Sequence, residues 1–427
     1  MVKAIYNFFI TLFYIPYLVF VIFRIFIKKE HSSKFKEKVF LQNIKRPDGY
    51  LFWFHVASLG ELNSVLPIVE FYLKENQKYN VLITTVTLSS YNQFEKIFRN
   101  NKRVFHQFLP YDFKPLIKNF ISNWRPNIVS FVDSEIWPNF IFEIKKSGIP
   151  FILLNARITK KTFDRWMVFK KFAFDTFGSF SLCIASSKDS AGYLELLKVK
   201  NIKYFGNIKF CNQINLIKEK NNDQFKLINN KKGWVALSTH KDEEYFCAKV
   251  HKSLKKSEKD LITIIIPRHI HRIKKIYKQL LSLNLKVQIK NENEIVDKNA
   301  DIILVNYYGS ISKYLNYYKN IFIGKSLISS LSKVGGQNPI DAVRMGCKVY
   351  HGPFVYNFRE IYDYLNKNHL AEEISKDKIN DPEDLAYKLV KSLKDNPEKN
   401  SHKIDEFKIY SKKIFNNVTL EYDKFIK

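Results

Sequence analysis

The sequence predicts an α/β protein with two domains, each built on a parallel β-sheet. Short apolar segments typical of buried strands alternate with segments long enough for helices, and this alternation favours parallel strands joined by crossover helices. A chain of 427 residues is long enough for two domains of ordinary size. A polar stretch rich in Asn and Lys, residues 218–232, is the predicted interdomain linker.

Two series of strands are predicted, one on each side of this stretch. The first series comprises Leu51–Ala57, Val81–Val86, Ile128–Val132, Phe151–Leu154 and Leu182–Ala185. The second comprises Val235–Leu237, Leu261–Ile266, Lys286–Ile289, Ile302–Val305, Ile321–Ile323 and Lys348–Tyr350. Ligands of such folds gather at the carboxyl ends of the strands, so we expect a ligand-binding cleft between the two domains.

The segment 5–27 is almost entirely apolar or aromatic, and its length suits a hydrocarbon core about 30 Å thick. Pro16 is expected to kink this segment, and Arg24 lies near its end, where its side chain can reach the interface. Lysines follow the segment in greater number than they precede it, which predicts a cytoplasmic position for the rest of the chain. The prediction is a membrane anchor over residues 1–28; a cleaved signal peptide, a buried helix and an in-plane interfacial helix are the alternatives.

The chain is strongly basic, with 70 Lys and Arg against 41 Asp and Glu and a net charge of +29. Such a surplus favours polyanionic partners, namely nucleic acid, anionic lipid or phosphorylated substrates, although a compositional bias toward Lys produces the same total. The four cysteines, Cys183, Cys211, Cys247 and Cys347, are widely spaced and form no CxxC pair. They predict neither a disulfide framework nor a zinc site, which fits a reducing compartment.

Polar residues follow three predicted strands of the first domain. They are Ser58, Gly60 and Glu61 after the first strand, Asp133 and Glu135 after the third, and Asn155 and Arg157 after the fourth. We expect these ends to face the cleft. A glutamate at the start of a helix is also an ordinary partner of the helix dipole, so position alone leaves Glu61 either structural or catalytic.

The second domain carries three candidate segments. Ser238–His240, followed by Glu243 and Glu244, is typical of a helix N-cap and an acidic first turn. Arg268 follows an apolar strand, where its guanidinium suits a phosphate or simply a solvated basic turn. In GGQNPIDA, residues 335–342, two glycines allow backbone amides to approach an anion, and a helix is expected to begin near Asn338–Pro339.

Five short motifs occur in a specific order. They are SLGE (58–61), LPYD (109–112), DSEIWPN (133–139), NAR (155–157) and GNIKF (206–210). In this order and spacing they resemble the 3-deoxy-D-manno-oct-2-ulosonic acid (Kdo) transferases of lipopolysaccharide assembly, glycosyltransferase family 30. The resemblance extends from the N-terminal segment to about residue 365.

The resemblance implies a GT-B architecture, in which two Rossmann-like domains face a central cleft behind the membrane anchor. Residues 29–217 would form the acceptor domain and residues 218–427 the CMP-sugar-binding domain. The implied reaction moves Kdo from CMP-Kdo to the lipid A precursor lipid IVA with inversion, without a cofactor or a metal, at the cytoplasmic side of the inner membrane. Glu61 would be the general base, supported by Ser58, Gly60, Asp133, Glu135, Asn155, Arg157 and Lys209.

The same resemblance implies a set of donor-binding residues in the second domain. They are Arg268, Gly335, Gly336, Asn338, Asp341, Asn357 and Glu360. The chain departs from the family pattern where Asp341 replaces a Glu, where Gly324–Lys325 replaces a pair of glycines, and where Ser310 replaces an acidic residue.

Two alternatives stand beside this interpretation. Another membrane-associated GT-B transferase using a different nucleotide sugar would keep the architecture and change the donor. A nucleic-acid-binding protein is suggested by the charge alone, and because no nucleic-acid motif accompanies the charge, nucleic acid is not among the expected partners.

Overall fold

The computed structural model describes residues 1–212, 231–309, 311–394 and 401–426. The chain forms two compact units, Met1–Gln213 together with Ser411–Lys427, and Ile214–Tyr410. Each unit contains a seven-stranded sheet in which the strands pair in parallel. Residues 218–230 of the predicted linker lie outside the described residues, and the first strand of the second unit already begins at Lys232.

The first unit has the strand order β3-β2-β1-β4-β5-β6-β7. Its strands are β1 Tyr50–Val56, β2 Tyr79–Thr85, β3 Val104–Phe108, β4 Ile128–Val132, β5 Phe151–Ala156, β6 Leu182–Ala185 and β7 Ile202–Tyr204. Its helices before the second unit are α1 Val2–Leu12, α2 Tyr14–Phe26, α3 Lys36–Val39, α4 Leu59–Glu75, α5 Leu88–Phe98, α6 Lys114–Trp124, α7 Pro138–Lys146, α8 Lys160–Met167, α9 Lys170–Phe177 and α10 Lys188–Leu196, followed by a 3-10 helix, Ile208–Cys211.

The second unit has the strand order β10-β11-β9-β8-β12-β13-β14. Its strands are β8 Lys232–Thr239, β9 Leu261–Pro267, β10 Val287–Lys290, β11 Ile302–Val305, β12 Asn320–Ile323, β13 Lys348–His351 and β14 Ala371–Glu373. The helices are α11 Glu243–Leu254, α12 Ile273–Leu281, α13 Ile311–Tyr317, α14 Ile340–Arg344, α15 Arg359–Lys367 and α16 Pro382–Lys394, with 3-10 helices at Ile270–Arg272, Ser329–Leu331, Tyr356–Phe358 and Lys376–Lys378. A last helix, α17 Ser401–Asp423, is shared between the two units.

The predicted α/β class with two parallel sheets is confirmed, and every predicted strand is present. Three further strands, β3, β7 and β14, were not predicted, and each lies at the edge of its sheet. An edge strand has a neighbour on one side only and needs no continuous apolar sequence. In β3, His106 and Gln107 interrupt the apolar residues, and β7 and β14 have only three residues each.

The core of the first unit is rich in aromatic side chains packed between the sheet and its helices. Trp53 on β1 lies with its ring centroid 4.7 Å from that of Phe120 and 5.4 Å from that of Phe131. A parallel sheet whose strands are joined by crossover helices is covered on both faces. For this reason β1 and β4 consist almost entirely of apolar residues. All four cysteines are buried, and no disulfide joins them.

The end of the chain belongs to the first unit, whereas the predicted boundary assigned residues 218–427 to the second domain. Helix α17 begins in the second unit, and its residues from Ser411 onward group with the first. Tyr422 is fully buried there and its hydroxyl lies 2.7 Å from Ser130 Oγ on β4. Tyr72 of α4 donates a hydrogen bond of 2.9 Å to Asp423 Oδ1. These long-range contacts leave no local pattern in the sequence.

The predicted anchor is not one helix but two, α1 and α2, which meet at an angle of 44°. No single helix of the described residues is long and apolar enough to cross a membrane, whereas this bent pair passes the same test of length and composition. Pro16 explains the break: it has no N–H to donate to the carbonyl of Leu12, and its ring crowds that carbonyl. The break therefore falls before the proline, at Phe13.

Replacing Tyr422 tests whether the end of the chain stabilises the first unit. Tyr422→Ala should lower the stability of this unit by about 3–5 kcal/mol, because a large buried side chain leaves a cavity. Tyr422→Phe should cost only about 1 kcal/mol for the lost hydrogen bond. Tryptophan emission during urea unfolding is a suitable measure, since four of the five tryptophans lie in residues 53–166.

The matched control is Leu420→Ala in the same helix, where the side chain is 59% exposed. It should change stability by less than about 0.5 kcal/mol. Equal effects of Tyr422→Ala and Leu420→Ala would show that the end of the chain does not support the first unit.

Candidate functional site

The first sheet brings two of the predicted polar clusters to one point on its carboxyl edge. Strand β1 pairs with β2 on one side and with β4 on the other, so the chain leaves β1 in one direction and returns to the sheet on its other side. Such a topological switch point opens a crevice beyond the strand ends. Ser58 follows β1 and Asp133 follows β4, so both flank this crevice.

Glu61 lies in the first turn of α4, and Glu61 and Ser58 form hydrogen bonds to each other at the start of this helix. The Ser58 hydroxyl donates to Glu61 Oε1 at 2.9 Å, and the Glu61 N–H donates back to Ser58 Oγ at 3.3 Å. The backbone N–H of Ala57 donates to Glu61 Oε2 at 2.7 Å. This arrangement resembles a capping box, except that the carboxylate accepts the N–H of Ala57 rather than that of the N-cap Ser58, and it fixes the position of the carboxylate at the switch point.

Burial, followed by the negative charge of Asp133, raises the pKa of Glu61 to about 7. The hydrogen bonds from Ala57 and Ser58 act in the opposite direction but are outweighed. A carboxyl group that changes charge near neutral pH can exchange protons with a ligand, which a surface glutamate with an ordinary pKa does poorly.

Asp133, Asn155 and Lys209 form one network beside Glu61. Asp133 accepts hydrogen bonds from Asn155 Nδ2 at 2.5 Å and from Lys209 Nζ at 2.7 Å. Asn155 Oδ1 in turn accepts from the N–H of Ile208 at 3.1 Å, which ties the 3-10 helix to β5. Asp133 and Asn155 both have φ near +56°, a left-handed conformation that is uncommon for residues other than glycine and recurs at functional sites.

Glu135 is held by two donors from neighbouring elements. His55 Nε2 lies 3.3 Å and Trp137 Nε1 2.9 Å from Glu135 Oε2. Burial opposes ionisation of Glu135, but the hydrogen bond and charge of His55 and the bond from Trp137 outweigh it and keep the pKa below its ordinary value. His55 was not among the predicted site residues, although it is a polar residue on β1 close to the strand's carboxyl end.

The remaining predicted residues of the first unit also lie at this edge. The Arg157 N–H donates to the carbonyl of Asp133 at 3.1 Å, and its side chain is half-buried. Gly60 is exposed, and the nearest atom that a Cβ there would meet is Ser58 Oγ, 3.9 Å away. Packing within the protein therefore does not require glycine at position 60. The first unit thus brings Ser58, Gly60, Glu61, Asp133, Glu135, Asn155, Arg157 and Lys209 to one edge.

In the second unit, Glu243 organises the loops at the equivalent sheet edge. Its buried carboxylate accepts backbone N–H bonds from His240 at 2.9 Å and Lys325 at 2.7 Å. It also accepts from Ser326 at 2.9 Å and Leu327 at 3.0 Å. One side chain therefore joins the loop after β8 to the loop after β12, where the sequence indicated only an acidic first turn.

The predicted N-cap in Ser238–His240 is wrong in position. Helix α11 starts after Asp242, whose side chain makes no capping bond, and Glu243 and Glu244 form the acidic first turn. The Glu244 carboxylate accepts two hydrogen bonds from the guanidinium of Arg272, one from each terminal nitrogen, at 3.0 and 3.1 Å. Ser238 has φ of +56° and lies at an irregularity of β8 between Leu237 and Thr239, so the strand continues to Thr239 and the helix start falls later than the local sequence suggested.

The loop after β12 contains Gly324–Lys325, where the family pattern has two glycines, and its backbone shows why glycine suits both positions. A Cβ at Gly324 would lie 2.6 Å from the carbonyl oxygen of Ser238, so glycine is required there. Lys325 has φ of +60°, a conformation that costs a residue with a side chain roughly 1–2 kcal/mol. Glycine at position 325 would avoid this strain, and the Lys325 backbone is held by Glu243 in spite of it.

The loop 335–341 is packed against its neighbours. Gly336, with φ of +91°, donates its N–H to the carbonyl of Lys325 at 2.7 Å, so this amide serves the loop rather than an anion in this structure. Asn338 Oδ1 accepts from the N–H of Ile340 at 3.1 Å. Helix α14 starts at Ile340, slightly after the predicted position, and has only five residues.

Asp341 is the most distinctive polar group of this loop. Its Oδ1 is buried and has no hydrogen-bond partner among the described residues. Burial raises the pKa of Asp341 to about 6, although the positive charge of Arg344 opposes the shift. A buried acceptor without a partner carries a free-energy cost, and a ligand hydroxyl would satisfy it.

The other predicted donor-side residues follow the strands of the second sheet. Arg268 is exposed directly after β9, and its N–H donates to the carbonyl of Thr239 at 3.0 Å. The backbone N–H of Asn357 donates to the carbonyl oxygen of Gly335 at 3.1 Å, which connects residue 357 to the loop 335–341. Glu360 is in the first turn of α15. No group of three or more His, Cys, Asp or Glu side chains suited to a metal ion occurs in the described part of the chain.

Comparisons with known proteins identify similar sequences and similar folds. Residues 31–212 match the family model described as 3-deoxy-D-manno-octulosonic-acid transferase (kdotransferase). A glycosyltransferase from Rickettsia africae of known structure is similar with a TM-score of 0.55 at 12% identity, covering 89% of this chain and 100% of that chain. At this identity the likeness shows the fold alone, and it agrees with the predicted GT-B class.

Two relatives are similar over most of their length. The 3-deoxy-D-manno-octulosonic acid transferase of Rickettsia bellii is 30% identical over 342 residues, which cover 79% of each chain. The enzyme of the same name from Rickettsia typhi is 31% identical over 327 residues, covering 76% of this chain and 69% of the relative. With such identity over such coverage, the chain belongs to the 3-deoxy-D-manno-octulosonic acid (Kdo) transferase family.

Proposed function

We propose that the chain transfers Kdo from CMP-Kdo to lipid IVA, the lipid A precursor, with Glu61 as the general base. As a family member it is a glycosyltransferase, and its relatives are named for Kdo transfer. The observation that carries the base assignment is the Glu61 carboxylate, fixed at the switch point of the first sheet with a pKa raised to about 7.

The reaction we propose is a single displacement. The acceptor's primary hydroxyl oxygen forms a bond to the anomeric carbon of Kdo while its proton passes to Glu61. The bond from that carbon to the CMP phosphate oxygen breaks, and its electron pair leaves with CMP. Attack and departure occupy opposite faces, so the anomeric configuration inverts. A base with a pKa near the working pH is efficient because it is ionised and still accepts a proton readily.

The neighbours of Glu61 support this role. Ser58 and Ala57 orient the carboxylate, and Gly60 leaves the adjacent surface open to an acceptor. Asp133, itself held by Asn155, pairs with Lys209, whose positive charge we propose to stabilise the negative charge that develops on the departing phosphate. His55 would act through Glu135 and is a positioning residue.

For the donor we propose the loops of the second unit. Asp341 would accept a hydroxyl of the nucleotide ribose, because its buried Oδ1 lacks a partner among the described residues. The exposed guanidinium of Arg268 suits the CMP phosphate, to which it can donate two bonds at once. Gly335, Gly336, Asn338, Asn357 and Glu360 would shape the surrounding loop. We propose no metal and no cofactor.

For the acceptor and the location we propose the cytoplasmic face of the inner membrane. The apolar N-terminal segment and the lysines that follow it support attachment to a membrane on that side. The net charge of +29 suits a bisphosphorylated lipid on an anionic surface. Nucleic acid is not proposed as a partner.

The deciding experiment is the mass of the lipid product. Detergent-purified protein is incubated with freshly generated CMP-Kdo and tetra-acylated lipid IVA, beside an active Kdo transferase as positive control. A gain of one or more Kdo masses supports the proposal. If only the positive control reacts, the acceptor or donor assignment is wrong, and competition by CMP against UDP then separates a CMP-sugar enzyme from one using another nucleotide sugar.

Replacing Glu61 by Gln should remove the base and keep the fold. We expect kcat to fall by about 10²–10⁴-fold, the usual contribution of a general base. The folded pKa of Glu61 lies above its unfolded value, so ionising it lowers the stability of the fold as pH rises from about 4.5 to 7. Glu61→Gln should therefore raise the thermal midpoint at pH 8, and this gain should vanish near pH 4.

The control is Glu75→Gln, an exposed residue near the end of the same helix. It should leave both kcat and the thermal midpoint unchanged. A stable Glu61→Gln variant that transfers Kdo at the wild-type rate would remove the base assignment.

The pH dependence provides a second test of the base. Only the ionised carboxylate accepts a proton, so kcat/KM should rise with unit slope below about pH 7 and level off above it. The measurement is the initial rate at low acceptor concentration with saturating CMP-Kdo. A profile that stays flat down to pH 5 would mean that Glu61 is not the base.

Asp341→Ala tests the donor site. Loss of a buried acceptor that binds a ribose hydroxyl should weaken CMP binding by about 10-fold or more, in line with roughly 1–3 kcal/mol per such bond. Titration calorimetry with CMP measures the effect, and the exposed Asp377→Ala in the same unit is the control. Equal affinity of the two variants would place the nucleotide elsewhere.

A further inference from the structure

The N-terminal helix pair, Val2–Leu12 and Tyr14–Phe26, is docked on the first unit rather than free of it. In the first helix, Lys3 Nζ lies 3.8 Å from the centroid of the Phe142 ring. Tyr6 donates a hydrogen bond of 2.5 Å to Asp112 Oδ2. Asp112 is itself buried and also accepts the N–H of Asn139 at the start of α7, so the first helix is attached to the body of the unit.

The second helix is attached along its whole length. The Tyr14 hydroxyl donates a hydrogen bond to the carbonyl of Val39, and the Tyr14 ring centroid lies 4.9 Å from that of Phe113. One turn further, the ring centroids of Tyr17 and Tyr111 are 4.4 Å apart. Near the end of the helix, Arg24 forms an ion pair of 3.3 Å with Glu30. Glu30 also pairs with the buried Lys38 at 2.8 Å. The contacts thus continue to the end of the helix pair.

The covered and exposed positions form two separate stripes. The covered stripe recurs every three or four residues, as expected for one side of a helix, and consists of Tyr6, Ile10, Tyr14, Tyr17, Val21 and Ile25. The opposite stripe is apolar and 39–80% exposed, and includes Phe8, Phe9, Leu12, Phe13, Ile15, Val19, Phe20, Ile22, Phe23 and Phe26. An exposed apolar face of this size marks a surface that contacts a membrane or another protein.

The docked contacts are incompatible with a helix that crosses the bilayer. A pair of helices about 37 Å long, at 1.5 Å per residue, would carry the attached surface of the body through the hydrocarbon. That surface includes Glu143 and the exposed Asp175, whose negative charges act on Lys3 at the far end of the pair. Charged groups at such depth are costly unless they are paired or line a water-filled cavity.

We propose that the helix pair lies in the plane of the membrane, with its exposed apolar stripe in one leaflet and the first unit on the same side. This proposal rests on the proposed membrane attachment and specifies its geometry. The occupant of the stripe is an anionic lipid leaflet, because the exposed Lys28 and Lys29 follow the stripe and the chain as a whole is strongly basic. Both ends of the pair then face the cytoplasm.

Cysteine labelling in sealed, inside-out inner-membrane vesicles tests this orientation. The full chain is expressed with a single added cysteine, and the four native cysteines are buried, so they contribute little background. A membrane-impermeant maleimide should label Lys3→Cys and Lys29→Cys to the same extent before detergent is added. Lys74→Cys, an exposed position on the body, is the positive control, and Val2→Cys replaces Lys3→Cys if that variant does not fold.

Labelling of Lys3→Cys only after detergent, with Lys29→Cys labelled before it, would overturn the proposal in favour of a membrane span. An environment-sensitive dye on Phe20→Cys distinguishes lipid from a second copy of the chain. Its emission should shift to the blue only when vesicles of phosphatidylethanolamine and phosphatidylglycerol are added. A shift of equal size without vesicles would mean that protein covers the stripe. Neither measurement depends on Kdo transfer, so failure of this proposal and failure of the proposed reaction are separable.

Discussion

The parallel pairing of β1 with β2 on one side and β4 on the other is the constraint on which the candidate active site depends. Because the connection after β1 runs to β2 on one side and the chain returns by way of β3 to β4 on the other side, neither connection crosses the ends of β1 and β4, and a crevice forms there. Glu61 and Asp133, which are 72 positions apart in the chain, become neighbours only through this pairing. The raised pKa of Glu61 follows, since it arises from burial and from the charge of Asp133.

Buried carboxylates that accept backbone N–H groups then hold the loops at both sheet edges. Glu61 binds the N–H of Ala57, Asp112 binds those of Asn139 and Phe140, and Glu243 binds four. Charge-assisted bonds of this kind are stronger than neutral ones, and they satisfy the main-chain N–H groups that these loops direct toward the carboxylates. They allow residues such as Lys325 to keep left-handed conformations that a looser loop would relax.

The central strands were predictable because they are buried on both faces and therefore apolar throughout. The edges β3, β7 and β14 were not, because a strand with one neighbour tolerates polar residues and can be very short. The strand ends likewise indicated Ser58, Glu61, Asp133 and Asn155, since a polar residue directly after an apolar strand is a local pattern. His55 was missed because it lies within the strand, where a buried histidine with a hydrogen-bonded partner looks like any other core residue.

The sequence by itself determined the α/β class, the two series of strands, the apolar N-terminal segment and, through the order of five short motifs, the family. These features are local or lie in a fixed order along the chain. Only the tertiary structure decided that Glu243 joins two loops, that Tyr422 returns to the first unit and that Tyr6 and Tyr14 attach the N-terminal helices to it. Such contacts join residues far apart in the chain, and their stability depends on burial and distance, which no local pattern of residues encodes.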